Sequence, residues 1–308
     1  MSGLGEFQLI DWIRRHSSPH PQVPVGIGDD AALLAPTPGE EVIVTTDMLM
    51  DGRHFLVGQA DPELIGRKAL AVNLSDIAAM AGRPLAALIS WALPRHGGRE
   101  LAQSLFAGMA ELADSYHVAI AGGDTNSWDG PLVISITLVG ETVGRRRILR
   151  SGARPGDWIF VSGPLGGSLR SGRHLTFTPR VREALDLVQR VQVSSMLDLS
   201  DGIASDLRHI LDQSGVGATL DARSIPIHSD VDRALPELEQ LRRALTDGED
   251  FELLFTVSAT EGERLLASPP QDWRPIRIGT VDEQLGCRLR TSQRVVELPM
   301  GGWEHAIE

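Results

Sequence analysis

The sequence predicts a two-domain protein of the α/β class, in its α+β form, with strands and helices in both halves. Three observations carry this. The chain has 308 residues, about twice the ~150 of an average domain, so each half is large enough for its own core. An apolar fraction of 42% beside 23% charged residues is the balance of a folded globular chain, not of a disordered or fibrous one. Short β-branched apolar runs are interleaved with longer stretches whose apolar residues recur every three or four positions.

The elements follow in order. A helix is expected over 6–16 and a buried strand over 42–46, where Val42-Ile43-Val44 leads into Thr45, Thr46 and Asp47. The next helix, 61–81, has a strong start: Asp61 as N-cap, Pro62 at the first helical position and Glu63 in the positive first turn. Its apolar stripe runs Ile65, Ala69, Val72, and the next position on that face is Asp76, with Asn73 three residues before it. A strand over 86–92, a helix over 99–117 and strands over 118–121 and 132–140 complete the first half. The arginine-rich stretch Gly144 to Gly152 leads to the turn Arg154-Pro155-Gly156-Asp157 and a strand over 158–162. The boundary is expected there, giving domains 1–148 and 149–308. In the second half Ser200 is expected to cap a helix carrying Ile203, Leu207, Ile210 and Leu211, ending at Ser214-Gly215. A strand follows over 251–257.

The formal net charge is −12, from 41 acidic and 29 basic residues. Such a balance, without a basic block, disfavours nucleic acid. No apolar stretch approaches the ~18–20 residues that span a bilayer, and the N-terminus lacks a signal-peptide pattern, so a cytoplasmic location is expected. A single cysteine, Cys287, excludes an intramolecular disulfide and a cysteine-based zinc knuckle. Lys68 is the only lysine. No P-loop precedes it, and Gly-x-Ser-x-Gly and His-Glu-x-x-His are absent.

A subset of the acids sits where chains leave strands or enter tight turns: Asp29-Asp30 after Gly26-Ile27-Gly28, Asp47, Asp124 after Gly122-Gly123, Asp198 and Asp201 around Ser200, and Glu249-Asp250 after Asp247-Gly248. Asp76 lies on a buried helix face, where a carboxylate is costly unless paired or metal-bound. Carboxylates and hydroxyls without a His/Cys cluster favour a hard cation such as Mg²⁺. Several of them together suggest a nucleotide site with more than one ion. The Gly-rich turns would let backbone N–H groups approach phosphate.

Taken in order, Gly5-Glu6-Phe7, Gly26-Ile27-Gly28-Asp29-Asp30-Ala31, Thr45-Thr46-Asp47 with His54-Phe55, and Lys68 through Asp76 resemble the thiamine-monophosphate kinases. So do Gly122-Gly123-Asp124-Thr125, Arg150 through Asp157, Asp198-Leu199-Ser200-Asp201-Gly202, Gly248 through Leu253, and the closing Gly302-Trp303. The resemblance covers essentially the whole chain. It implies a two-domain fold of the aminoimidazole-ribonucleotide-synthetase-like superfamily, dimerising through the sheet of an N-terminal domain that binds ATP and Mg²⁺, with the C-terminal domain completing the active-site cleft. The implied reaction passes the γ-phosphoryl group of ATP to thiamine monophosphate, with no general base. By the same resemblance the Mg²⁺ ligands are Asp30, Thr45, Thr46, Asp47, Asp76, Asp124, Asp198 and Asp201. ATP would contact Tyr116, Gly123, Asp124, Arg150 and Ser200, and the thiamine phosphate would contact His54, Glu249 and Trp303. Two departures stand out: Asp247 replaces a usual glycine, and the 163–193 segment is short, with one proline of its His-x-x-Pro-x-Pro-Arg pattern lost. Another ATP-using enzyme of the superfamily, or a non-catalytic nucleotide-binding dimer, is the alternative.

Overall fold

Alternation along its strands builds the first half of the chain. The computed structural model describes residues 6–298, 301 and 302. After α1 (Glu6–His16) come β1 (Val42–Met50), α2 (Pro62–Ala79), β2 (Arg83–Pro94), α3 (Gly98–Tyr116), β3 (Ala119–Trp128) and β4 (Val133–Glu141). The four strands form one sheet in the order β1-β4-β2-β3, with only β2 and β3 parallel. In β1, Ile43 and Leu49 are buried and Thr45 and Asp47 half-buried, while Val42, Val44, Thr46, Met48 and Met50 are exposed on the other face.

The second half contains β5 (Trp158–Val161), the short α4 (Ser168–Ser171), α5 (Val181–Arg190), β6 (Val193–Asp198), α6 (Ile203–Ser214), β7 (Gly217–Asp221), α7 (Glu237–Thr246), β8 (Leu253–Val257), α8 (Ala259–Ala267), β9 (Ile276–Asp282), β10 (Gly286–Arg290) and β11 (Val295–Glu297). Its sheet runs β11-β10-β7-β9-β5-β8-β6 and is antiparallel except between β7 and β10. Ile203, Leu207, Ile210 and Leu211 of α6 join Leu197, Leu220, Leu254 and Ile278 in its core. Two compact units result: the described residues up to Ile77 with Gly82–Arg146, and those from Arg147 onward with Ala78–Ala81.

Several expectations change. The 42–46 and 118–121 strands are longer than their apolar runs, because ladder hydrogen bonds carry them through polar residues. Asp47 therefore lies inside β1, and Gly122 and Gly123 lie inside β3 instead of in a turn. A β-bulge opposite Ala87/Leu88 accompanies the glycines. A Cβ on Gly123 would lie 1.7 Å from the Ile89 carbonyl oxygen, so only glycine allows this strand contact. Asp61 caps α2 as expected, accepting from the Glu63 N–H at 3.0 Å. Ser200 does not cap α6. Gly202 occupies that position, and Asp206 folds back to accept from the Asp201 and Gly202 N–H groups at 3.0 and 3.1 Å. Gly215 closes the helix in a left-handed conformation, as expected.

Helices α2 and α3 touch backbone to backbone. A Cβ on Gly66 would fall 1.9 Å from the Leu105 carbonyl oxygen, and one on Gly108 would fall 1.8 Å from that of Glu63. Neither backbone can yield without separating the helices. Gly66→Ala should therefore cost more than the ~1–3 kcal/mol of ordinary overpacking. The expected reading is a fall of at least about 5 °C in the melting temperature by circular dichroism.

Candidate functional site

In the first unit the sheet places Thr45 and Asp47 on one face of β1, against α2. The capped start of α2 sets its phase so that Asp76 meets them. The Thr45 hydroxyl donates to Asp76 Oδ2. Asp47 lies within hydrogen-bonding reach of Asp76, and burial together with the Asp76 charge pushes its carboxyl up to about 7. One turn back, the fully buried Asn73 donates through Nδ2 to the Ala69 carbonyl at 3.1 Å, while its Oδ1 has no hydrogen-bond partner among the described residues. Thr46 is not brought to this pair. Its side chain is on the opposite face, where its hydroxyl donates to the Ile136 carbonyl at 3.2 Å and accepts from Thr137 at 3.1 Å.

A cavity of about 950 Å³ in the same unit is lined by residues 26–32 and by Gly122, Gly123, Asp124 and Thr125. Residues 25–33 form a loop closed by the Leu33 N–H on the Val25 carbonyl at 2.8 Å, with Asp29 and Asp30 exposed at its tip. Asp124 is also exposed and accepts from Asn126 Nδ2 at 3.3 Å. Asp30, Asp124 and Gly123 thus share one cavity wall. Tyr116 ends α3 beside Arg67 of α2 and does not line this cavity. His54 sits in the turn after β1, where its Nδ1 accepts from the Met50 N–H at 3.0 Å.

In the second unit Asp198 ends β6, and Ser200 and Asp201 form the turn into α6. The Glu249 N–H donates to the Ser200 carbonyl at 2.6 Å, and Glu249 itself has φ +56°, so this turn is held in a left-handed conformation against its neighbour. A Cβ on Gly302 would lie 2.8 Å from the Asp201 carbonyl, which brings the chain just before Trp303 onto the same turn. Trp303 lies outside the described residues. Arg150 is exposed.

Residues 162–180 bind the acidic turn side chain by side chain. Asp247 accepts from the Gly167 N–H at 3.1 Å and His174 stands 3.5 Å from Glu249. Asp250 accepts from Gly166 N–H and Arg173, both at 2.9 Å; Phe177 stacks on Phe251, and Arg180 is bidentate on Glu252 at 2.9 and 2.6 Å. The Asp247 carboxylate is therefore taken up by backbone, with Arg243 also close to it. Asp206 is the acid that sequence reasoning missed. Burial first, then the charges of Asp201 and Asp198, push it up to about 8. Its signal was available: a carboxylate between Ile203 and Leu207 on a helix whose apolar face is buried.

Among the described residues no group of three or more His, Cys, Asp or Glu side chains is poised around a metal ion. The donor set nevertheless fits Mg²⁺. That ion keeps several waters and takes only one or two carboxylates plus substrate oxygens. The Asp47–Asp76 repulsion is what a cation would relieve, and the orphaned Asn73 oxygen adds a buried acceptor on the same helix face.

A carboxyl raised in the folded state favours the fold while protonated, so its stabilisation is lost as pH rises from about 4 through about 7. In EDTA, Asp47→Asn should remove that slope and raise the melting temperature at pH 8 by about 2–5 °C. With magnesium and substrates, the same variant should lose at least about 100-fold in turnover. Melting curves across pH and a steady-state assay check both.

Two family descriptions match the chain in order: AIR synthase related protein, N-terminal domain, over residues 28–142, and the C-terminal domain of the same name over 154–283. A thiamine-monophosphate kinase of Rhodopirellula baltica is 40% identical over 309 aligned residues, covering 96% of both chains. The crystal structure of thiamine-monophosphate kinase from Stenotrophomonas maltophilia matches with a TM-score of 0.82 at 35% identity, over 92% of this chain and 96% of that one. The structure of AaThiL complexed with AMPPCP and TMP matches with a TM-score of 0.75 at 31% identity, over 99% and 98%. With this order of motifs, two such domains and relatives at these identities over nearly the full length, the chain belongs to the thiamine-monophosphate kinase family.

Proposed function

We infer that this chain transfers the γ-phosphoryl group of ATP directly to the phosphate of thiamine monophosphate. A phosphate oxygen of the acceptor forms the new bond to γ-phosphorus as the bond to the bridging oxygen of ADP breaks, giving thiamine diphosphate. The observation that carries the reading is the Asp47–Asp76 pair on facing elements, a repulsive arrangement that suits a site for cations accompanying phosphates. The substrate comes from the family, including the relative solved with AMPPCP and TMP.

The acceptor phosphate has a second pKa near ~6 and is already anionic at pH 7, so the chain needs no general base. Magnesium, when bound, offsets the phosphate charge and holds the reacting oxygens in line. We assign its holding to Asp30, Thr45, Asp47, Asp76 and Asp124 in the first unit and to Asp198 and Asp201 in the second. The Thr46 hydroxyl, on the opposite face of β1 from Asp47, is assigned with Asp124, whose strand position lies on that same face of the sheet. Gly123, Asp124, Tyr116, Arg150 and Ser200 are assigned to the nucleotide. His54, Glu249 and Trp303 are assigned to the thiamine phosphate. At His54 the neutral ring with Nδ1 as acceptor carries its proton on Nε2, which makes Nε2 a donor suited to a phosphate oxygen. We place the reaction in the cytoplasm, where ATP is supplied; among the described residues no helix is long and apolar enough to cross a membrane.

We further propose that a second copy covers the outer face of the first unit's sheet. Val44 and Met48 are 62% and 57% exposed there, beside Val42, Met50 and Leu88. A largely apolar row exposed along the edge strand β1 suits a self-complementary contact.

Purified protein with ATP, Mg²⁺ and thiamine monophosphate should form thiamine diphosphate and ADP one to one, and EDTA should stop it. Absence of product with both substrates and magnesium present would overturn the reading. Light scattering after size exclusion should give a dimer mass, and Val44→Glu with Met48→Glu should shift it to the monomer.

A further inference from the structure

Lys68 is a buried cation that the phosphoryl-transfer reading leaves without a task. It is the only lysine among the chain's 29 basic residues, and it is 0% exposed. It lies on the apolar stripe of α2 between Ile65 and Val72, where an apolar side chain would ordinarily stand. Burying an ammonium costs several kcal/mol, of order, unless it is bonded. Its Nζ donates to the carbonyl oxygen of His54 at 3.0 Å.

The turn that carries His54 is otherwise closed by its own backbone. The His54 and Arg53 N–H groups donate to the Met50 carbonyl at 3.1 and 3.2 Å, the Gly52 N–H donates to Phe55, and Phe55 is buried. The His54 ring is tied back to the Met50 N–H through Nδ1. These bonds set the shape of the turn, and the Lys68 bond ties its His54 carbonyl to the helix bearing Asp76. A compact ammonium suits that enclosed place; a planar guanidinium needs more room.

We propose that Lys68 is a positioning residue for His54: its ammonium, bonded to the His54 carbonyl, fixes the 50–55 turn and so the direction in which Nε2–H meets the phosphate of thiamine monophosphate. This rests on the assignment of His54 to that substrate. Lys68→Met keeps the length and apolar stem and removes the donor. It should raise the KM for thiamine monophosphate about tenfold, the scale of a small misplacement, and leave the KM for ATP within about twofold. His54→Gln is measured alongside. If His54→Gln leaves the thiamine monophosphate KM unchanged, the substrate assignment fails. If His54→Gln raises it and a folded Lys68→Met does not, or if Lys68→Met raises both KM values equally, the positioning role fails.

A second measurement needs no variant. Lysine labelled with ¹⁵N at Nζ gives one side-chain signal in this chain. That signal should correlate with a histidine carbonyl carbon and should shift on adding thiamine monophosphate but not AMPPCP. No correlation, or no shift with thiamine monophosphate at saturation, would overturn the proposal.

Discussion

Like charges held close together in a partly buried place constrain the first unit more than any other interaction. Asp47 on β1 and Asp76 on α2 face each other because strand alternation and helix periodicity put them there, and burial and the Asp76 charge both oppose ionisation of Asp47. A fold stabilised only by its core would replace one of them. Retaining both keeps a place whose negative charge is offset when a cation arrives. The close backbone contact through Gly66 and Gly108 holds α2, the helix that bears Asp76, tightly against α3.

The second unit uses the same economy of position with different means. The acids of the 247–252 turn are held by residues 162–180, and the carbonyl of Ser200 ties that turn to the one bearing Asp201. Asp206 then holds Asp201 and Gly202 through their N–H groups, although its ionised form is disfavoured by burial and by the acids beside it. The Asp247 side chain serves the backbone at Gly167, so its charge is taken up locally.

Much of the candidate site could be read along the chain where the signal is local. The Asp61 cap and the stripe leading to Asp76 depend only on helix geometry, and they stand as expected. Acids following Gly pairs were legible as a group. What failed was the local context of some of them: Gly122 and Gly123 form a strand because Leu88 and Ile89 of β2 lie against them, far back in the chain. Ser200 looked like a cap by residue type, but a buried carboxylate one turn into the helix reached the free N–H groups first. The roles of Lys68 and His174 were invisible because their partners, His54 and Glu249, are distant in sequence.

The sequence by itself determined the class of fold, the order of motifs, the absence of a P-loop and the chemical type of the site, hard oxygen donors with a single lysine. These follow from residue type and short-range periodicity. Only the tertiary structure decided which face each donor occupies, so that Thr45 joins Asp47 and Asp76 while Thr46 turns away. It also decided which buried groups hold those donors in place. Facing and support depend on packing between elements far apart in the chain, and no local pattern encodes the partner on the other side.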